Sequence, residues 1–400
     1  MATVVLAGTL DTKGHEYAFV RDRLQEHHVD VVLVDVGVHP PQIEPDISRE
    51  DVARAVGENV AALAQAGDRG AATTAMGSGA AALLLRLHAE GRLDGVLGLG
   101  GSGGSSIVTT AMRALPVGVP KLMVSTLASG DTRPYVGAVD ITMMYSVVDI
   151  AGINSVSARI LSNAAGAIAG MVNAAMPPLE HKPLVAASMF GVTTQGVTHA
   201  RERLEELGYE VLVFHATGTG GQSMETLVAG GFVAGVLDLT TTELADELVD
   251  GVLSAGPRRL EAAGAAGVPQ VVSLGALDMV NFGPRETVPP RFEARTLYVH
   301  NPTVTLMRTT PQESSELGRE VKRKLSAAQG PTALFIPRKG VSMLAVEGQP
   351  FHDAEADAAL FAAAVDDDSD LEVHDLDLDV NDKRFAVAMA DRLHEMITSR

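Results

Sequence analysis

Cysteine is absent from all 400 residues, so no disulfide, thiolate nucleophile or cysteine-ligated zinc or iron–sulfur site can form, a composition suited to a reducing cytoplasm. No apolar run approaches the roughly 20 residues that span a bilayer. The opening MATVVLAGTLDTKG is too short in apolar length, and too poor in basic flanking residues, for a secretory signal. Positive charge is scarce: 31 Lys and Arg face 50 Asp and Glu, leaving −19. Such a field repels a phosphate backbone and an anionic membrane alike, so neither nucleic acid nor membrane is an expected partner. What is present is an ordinary folded composition, 46% apolar and 20% charged. A chain of this length predicts two domains.

Short Val- and Leu-rich runs alternate with Ala- and Leu-rich stretches of helical period, the pattern of a mainly parallel sheet covered by helices on both faces. The fold class read from this is α/β, with two Rossmann-like subdomains over 1–180 and 181–400. Strands are expected at Val4–Ala7, Val31–Val34, Ala71–Ala75, Gly95–Leu99, Lys121–Val124 and Asp140–Met143. A helix over Glu16–Gln25 carries Tyr17, Val20 and Leu24 on one face. The second half repeats the first: residues 184–214 follow the order of 3–34, Gly95-Val96-Leu97 is echoed by Gly235-Val236-Leu237, and Gly118-Val119-Pro120 by Gly267-Val268-Pro269. Three prolines within 176–183 mark the hinge. The small-residue helix at 152–175 is expected to pack between domains or against a second copy. Phe351–Asp382 holds twelve acids and no Lys or Arg, and its alternating Leu376, Leu378 and Val380 read as a half-exposed edge strand.

Ligands of doubly wound sheets bind where strands end, so the strand-exit loops carry the chemistry. After Gly95–Leu99 the chain runs Gly100-Gly101-Ser102-Gly103-Gly104-Ser105-Ser106 into a helix. Glycines let backbone N–H groups approach an anion, serines add donors, and the helix start contributes a positive dipole end. No Lys-Ser/Thr pair follows, so this is not a Walker A loop. The first exit loop, Thr9-Leu10-Asp11-Thr12-Lys13, sets one of only seven lysines beside an acid. Lys13 is suited to phosphate oxygens, and Asp11 to a metal ion or a ribose hydroxyl. A third loop, Ser129-Gly130-Asp131-Thr132-Arg133, gathers hydroxyls, an acid and an arginine; a ligand role and an internal Asp–Arg pair are both open there. The basic exit loop Pro337-Arg338-Lys339-Gly340 either closes over an anion or offsets the acidic segment that follows it. In the second half the Gly-rich loop is replaced by Thr240-Thr241-Thr242-Glu243, so one nucleotide site per chain is expected.

At GTLDTKG (8–14), GLGGSGGSS (98–106), SGDTRPYVG (129–137), SVVDIAGIN (146–154), HNPTVTLMRTT (300–310) and PRKGVS (337–342) the chain resembles the ATP-binding domain family named after the plant protein of resistance to tomato mosaic virus. Bacterial members of that family form an otherwise uncharacterised group. The resemblance implies ATP and magnesium as cofactors, bound in the first subdomain, and self-association into a homodimer. It carries the nucleotide role onto Thr9, Asp11, Thr12, Lys13, Gly100, Gly101, Ser102, Gly103, Gly104, Ser105, Ser106, Ser129, Gly130, Asp131, Thr132 and Arg133. It assigns neither catalytic residues nor metal ligands. ATP as substrate or as conformational ligand is the expected function; the alternative is a metabolic enzyme whose small phosphorylated or carboxylated substrate sits in the Gly/Ser loop.

Overall fold

A computed structural model describes residues 1–175, 182–365 and 371–399. The first element, β1 (Thr3–Gly8), is apolar on both faces and buries five of its six residues, as a central parallel strand must. From it the chain alternates through α1 (Leu10–Glu26), β2 (Asp30–Asp35), α2 (Arg49–Arg54), α3 (Val60–Ala66), α4 (Arg69–Ala89), β3 (Gly95–Gly100), α5 (Ser102–Ala114), β4 (Lys121–Ser125), α6 (Arg133–Val136), β5 (Thr142–Tyr145) and α7 (Ser155–Val172). The five strands form one parallel sheet in the order β2-β1-β3-β4-β5. Its two faces are covered by separate cores, one under α4 and α5 and one under α1 and α7.

The second stretch holds β6 (Leu184–Met189), α8 (Thr194–Glu206), β7 (Glu210–His215), α9 (Thr219–Ala229), β8 (Gly235–Thr240), α10 (Glu243–Val249), α11 (Ala262–Ala266) and β9 (Gln270–Gly275). It continues through β10 (Met279–Phe282), β11 (Leu297–Asn301), β12 (Val304–Arg308), α12 (Pro311–Ser326), β13 (Thr332–Pro337), α13 (Ala354–Ala364), β14 (Glu372–Leu376) and α14 (Lys383–Thr398). Its parallel sheet runs β7-β6-β8-β9-β13-β14, the first sheet's order with one strand added, and β10-β12-β11 form a small antiparallel sheet. The internal repeat extends to register. Val4 faces Gly95 as Val185 faces Gly235, and Val96 faces Lys121 as Val236 faces Gln270. The chain divides into two compact units, Met1–Pro178 and Leu179–Arg400. Most of the expected hinge, residues 176–181, lies outside the described residues.

Two expectations are corrected. Ala71–Ala75 is helical, inside α4, because Asp68 caps the helix by accepting the Ala71 N–H at 3.0 Å and Ala72, Met76, Ala80, Leu83 and Leu87 form a buried helical stripe. Helix α7 buries Leu161, Ala164, Ala165 and Ile168 in the core that holds Val4, Leu6 and Leu97 of its own sheet. The edge strand β14 ends at Leu376, where the chain turns (Leu378 N–H to Leu376 C=O, 2.8 Å), and Val380 is buried. Arg338 pairs with Asp375, and Lys339 with Asp377 at 2.8 Å, so the basic loop after β13 offsets the acids of that edge.

The second unit also encloses acids. Asp246 is buried on α10 and accepts hydrogen bonds from the Asn281 backbone (2.8 Å) and side chain (2.6 Å). Burial pushes its carboxyl up from 3.8 to about 7, and that of Asp278 to about 6. A folded-state value above the unfolded one means that the folded chain holds a proton which the unfolded chain has released. The stabilisation is complete below pH 3.8 and is lost as pH rises through about 7. Urea unfolding of the wild type is therefore expected to weaken by about 2–4 kcal/mol between pH 5 and 7, and Asp246→Asn to remove more than half of that loss. An unchanged slope in the variant removes Asp246 as its source.

Candidate functional site

At the C-terminal ends of β1 and β3 the crossovers leave the sheet in opposite directions, toward β2 and toward β4, which opens a crevice. A cleft of about 620 Å³ occupies it, lined among others by Thr9, Asp11, Thr12, Lys13, Gly37, Arg69 and Gly101–Gly104. Its floor is held by Tyr17. The Tyr17 hydroxyl accepts the Leu99 N–H at 2.8 Å and donates to the Ala7 carbonyl at 2.7 Å, joining the ends of β1 and β3.

The structure thus brings together the first exit loop and the Gly-rich loop, which are about ninety residues apart in sequence. No side chain caps α5, whose first turn is Ser102-Gly103-Gly104. The fold itself makes little demand for three of these glycines. Gly101, Gly103 and Gly104 all have negative φ, and a Cβ on them would meet no backbone atom closer than 3.5 Å. Gly100 is different: a Cβ there would stand 3.0 Å from the Gly104 α-carbon, so it permits the close approach of strand and helix. What the other three leave open is the cleft.

Arg69, at the start of α4, reaches over this loop, its Nη2 3.2 Å from where a Gly103 Cβ would lie. Among the described residues its guanidinium has neither hydrogen bond nor salt bridge. The strand reading of 71–75 hid it; the signal was the capping Asp68 immediately before a helical apolar stripe. Lys13 sits at a break in α1 (φ −133°, ψ 24°) and donates through Nζ to the Ile150 carbonyl at 2.5 Å, leaving further ammonium protons for a ligand. Asp11 accepts the His39 N–H at 3.2 Å through Oδ2, while its Oδ1 is buried with no partner.

Not every expected residue is in the cleft wall. Ser105 is buried, its hydroxyl 2.7 Å from that of Ser125, and ties β3 to β4; Ser106 accepts the Thr110 hydroxyl on its backbone carbonyl (2.8 Å). The loop Ser129, Gly130, Asp131, Thr132, Arg133 is not part of the cleft lining. Arg113, in the last turn of α5, holds the carbonyls of Pro134 (3.1 Å) and Tyr135 (2.6 Å), about 15 Å along the helix from its start. Asp131 and Arg133 are exposed and form a bidentate pair at 2.8 Å, which holds the Asp131 carboxyl at about 2.

In the second unit two other helix starts are met from within, while α10, the counterpart of α5, begins with Glu243 itself. Glu243 accepts the N–H groups of Gly218 (2.7 Å) and Gly221 (3.1 Å) at the start of α9, and Asn381 accepts that of Gly196 (3.0 Å) in α8. Arg259, fully buried, bonds Glu243 (2.7 Å) and both oxygens of Asp238 (2.5 and 2.7 Å).

Unpaired cation, uncapped helix start and fold-free glycines suit phosphate oxygens. Orphaned carboxylate oxygen suits a hard divalent cation. These features define a protein of two Rossmann-like α/β units, the first with a cleft at its strand ends lined by Lys13, Arg69, Asp11 and the Gly-rich loop. The chain belongs to the uncharacterised protein family UPF0261: the family's N-terminal domain matches residues 2–177 and its C-terminal domain 182–397. It is 53% identical to a UPF0261 protein of Clostridium tetani, over 98% of both chains. It is 40% identical to the tomato (Solanum lycopersicum) ToMV susceptible protein tm-1(GCR26), over 98% of this chain but 55% of that one. Among solved structures, UDP-N-acetylglucosamine 2-epimerase of Rickettsia bellii is 12% identical over 68% of this chain and 78% of its own, at a TM-score of 0.22, too loose for any residue correspondence. No helix among the described residues is long and apolar enough to cross a membrane.

Proposed function

We propose that the first unit binds ATP with magnesium, in a cytoplasmic homodimer that uses the nucleotide as substrate or as conformational ligand. The observation that carries this reading is the free guanidinium of Arg69 poised over Gly101–Gly104, glycines that neither backbone strain nor packing explains. Lys13 and the α5 amides supply the remaining donors for phosphate oxygens, and Thr9 and Thr12 add hydroxyls beside them. Magnesium, when bound, neutralises phosphate charge; Asp11 faces the place where it would be needed. The second unit, where α10 begins with Glu243 in place of the glycines of α5, is read as a scaffold without a nucleotide. The tomato relatives are named for a virus, but this chain spans about half the length of tm-1(GCR26), and no viral partner is carried over.

Titration calorimetry with ATP, with and without magnesium, tests the reading. One site per chain is expected; no heat at millimolar ATP, with heat from a small phosphorylated or carboxylated compound, turns the assignment to a metabolic enzyme. Size-exclusion with light scattering tests the dimer. Lys13→Ala is expected to weaken ATP binding by about 1.5–3 kcal/mol, the scale of a charged hydrogen bond, and to lower stability by about 1 kcal/mol because the Ile150 carbonyl loses its donor. Unchanged affinity takes Lys13 out of the site.

A further inference from the structure

Asp35 ends β2 and is fully buried. Its Oδ1 accepts the N–H groups of Leu10 (3.2 Å) and Gly37 (2.9 Å), but Oδ2 has no partner. Asp11, on the cleft wall, has the same defect at Oδ1. Gly37 joins the two: its N–H is on Asp35, and a Cβ on it would stand 2.9 Å from Asp11 Oδ1. Asp11 and Asp35 thus set two carboxylates in one corner around Gly37. No salt bridge relieves them among the described residues; Arg49 acts on Asp35 only from a distance and is paired with Glu50 at 2.9 Å.

A buried carboxylate oxygen without a donor is a costly arrangement unless something positive meets it. Backbone N–H groups already occupy the other oxygens, so what is missing is a compact cation. We infer that Asp35, with Asp11, holds the divalent cation that accompanies the nucleotide's phosphates, an inference that rests on the nucleotide reading above. Two carboxylates beside substrate phosphates is the usual way a protein holds magnesium. No group of three or more potential ligands exists among the described residues, so the protein offers no cage for the metal alone. The cation is therefore expected to bind with the nucleotide, not before it.

The test uses the full chain, with Mn2+ as the probe followed by electron paramagnetic resonance and AMP-PNP as the nucleotide. Wild type is expected to bind Mn2+ at least tenfold more tightly with AMP-PNP than without. Asp35→Asn keeps the Oδ1 that Leu10 and Gly37 use; it should lose that gain while binding AMP-PNP in EDTA within twofold of wild type. Asp11→Asn, whose orphan oxygen serves no bond of the fold, should lose it as well and decides the matter if Asp35→Asn does not fold. Wild-type Mn2+ affinity in these variants, with nucleotide bound, overturns the carboxylate assignment alone. Failure of the wild type to bind AMP-PNP under either condition overturns the nucleotide reading and this inference with it.

Discussion

Gly103→Val is expected to abolish nucleotide binding, a loss of at least about 3 kcal/mol if an isopropyl group displaces the phosphate from the α5 amides, while thermal unfolding stays near wild type. The split is what makes the variant informative. Gly103 has negative φ, and an added Cβ would meet only the end of the Arg69 side chain, which can swing aside. Valine is a slightly better helix residue than glycine, by a few tenths of a kcal/mol, so the first turn of α5 loses nothing. Glycines between a strand and a helix serve either a tight turn needing positive φ or a backbone left bare for a ligand, and the dihedral angles remove the first. Calorimetry and differential scanning fluorimetry on the same preparation decide the second: normal ATP affinity in a stable variant eliminates the cradle.

Arg259→Met should have the largest effect on stability, about 3–5 kcal/mol, because it strands the buried carboxylates of Asp238 and Glu243 without a counter-charge. Methionine fills much of the volume, so the loss is electrostatic more than steric. Arg259→Lys should recover little, since a single ammonium cannot reach Asp238 and Glu243 together as the guanidinium fork does. Hydrogen exchange read by mass spectrometry should show the loosening in β8, α9 and α10, whose ends this cluster joins, with the first unit unaffected and still binding ATP. Protection in β8 equal to wild type would show that the pair contributes nothing net.

Much of the frame was legible from the amino acids because its cause is local. The runs at 4–7, 31–34, 95–99 and 121–124 are continuous and apolar, and they lie within β1, β2, β3 and β4. The weaker strand at 140–143 is displaced to Thr142–Tyr145, as expected for an edge strand with little to bury. Where two signals competed, as in Ala71–Ala75, the threonines suggested extension, but the cap three residues earlier and the apolar period over twenty residues prevailed.

By itself, then, the sequence determined the α/β class, the two related halves, the strand ends from which the candidate loops leave, and the loss of glycine from the second copy. Each follows from residue type and spacing along one stretch of chain. The tertiary structure decided which of those loops share a cleft: 9–13 and 101–104 meet, while 129–133 is outside its lining and the residues that follow it, Pro134 and Tyr135, are held at the far end of α5 by Arg113. Among the described residues it alone left Arg69 unpaired, orphaned one oxygen each of Asp11 and Asp35, and seated Glu243 on the amides of Gly218 and Gly221. The reason is the range of the forces. Apolar burial depends on a periodic face and averages over many contacts, so it can be read from a pattern, whereas a polar group's role rests on whether one partner atom stands within about 3 Å of it.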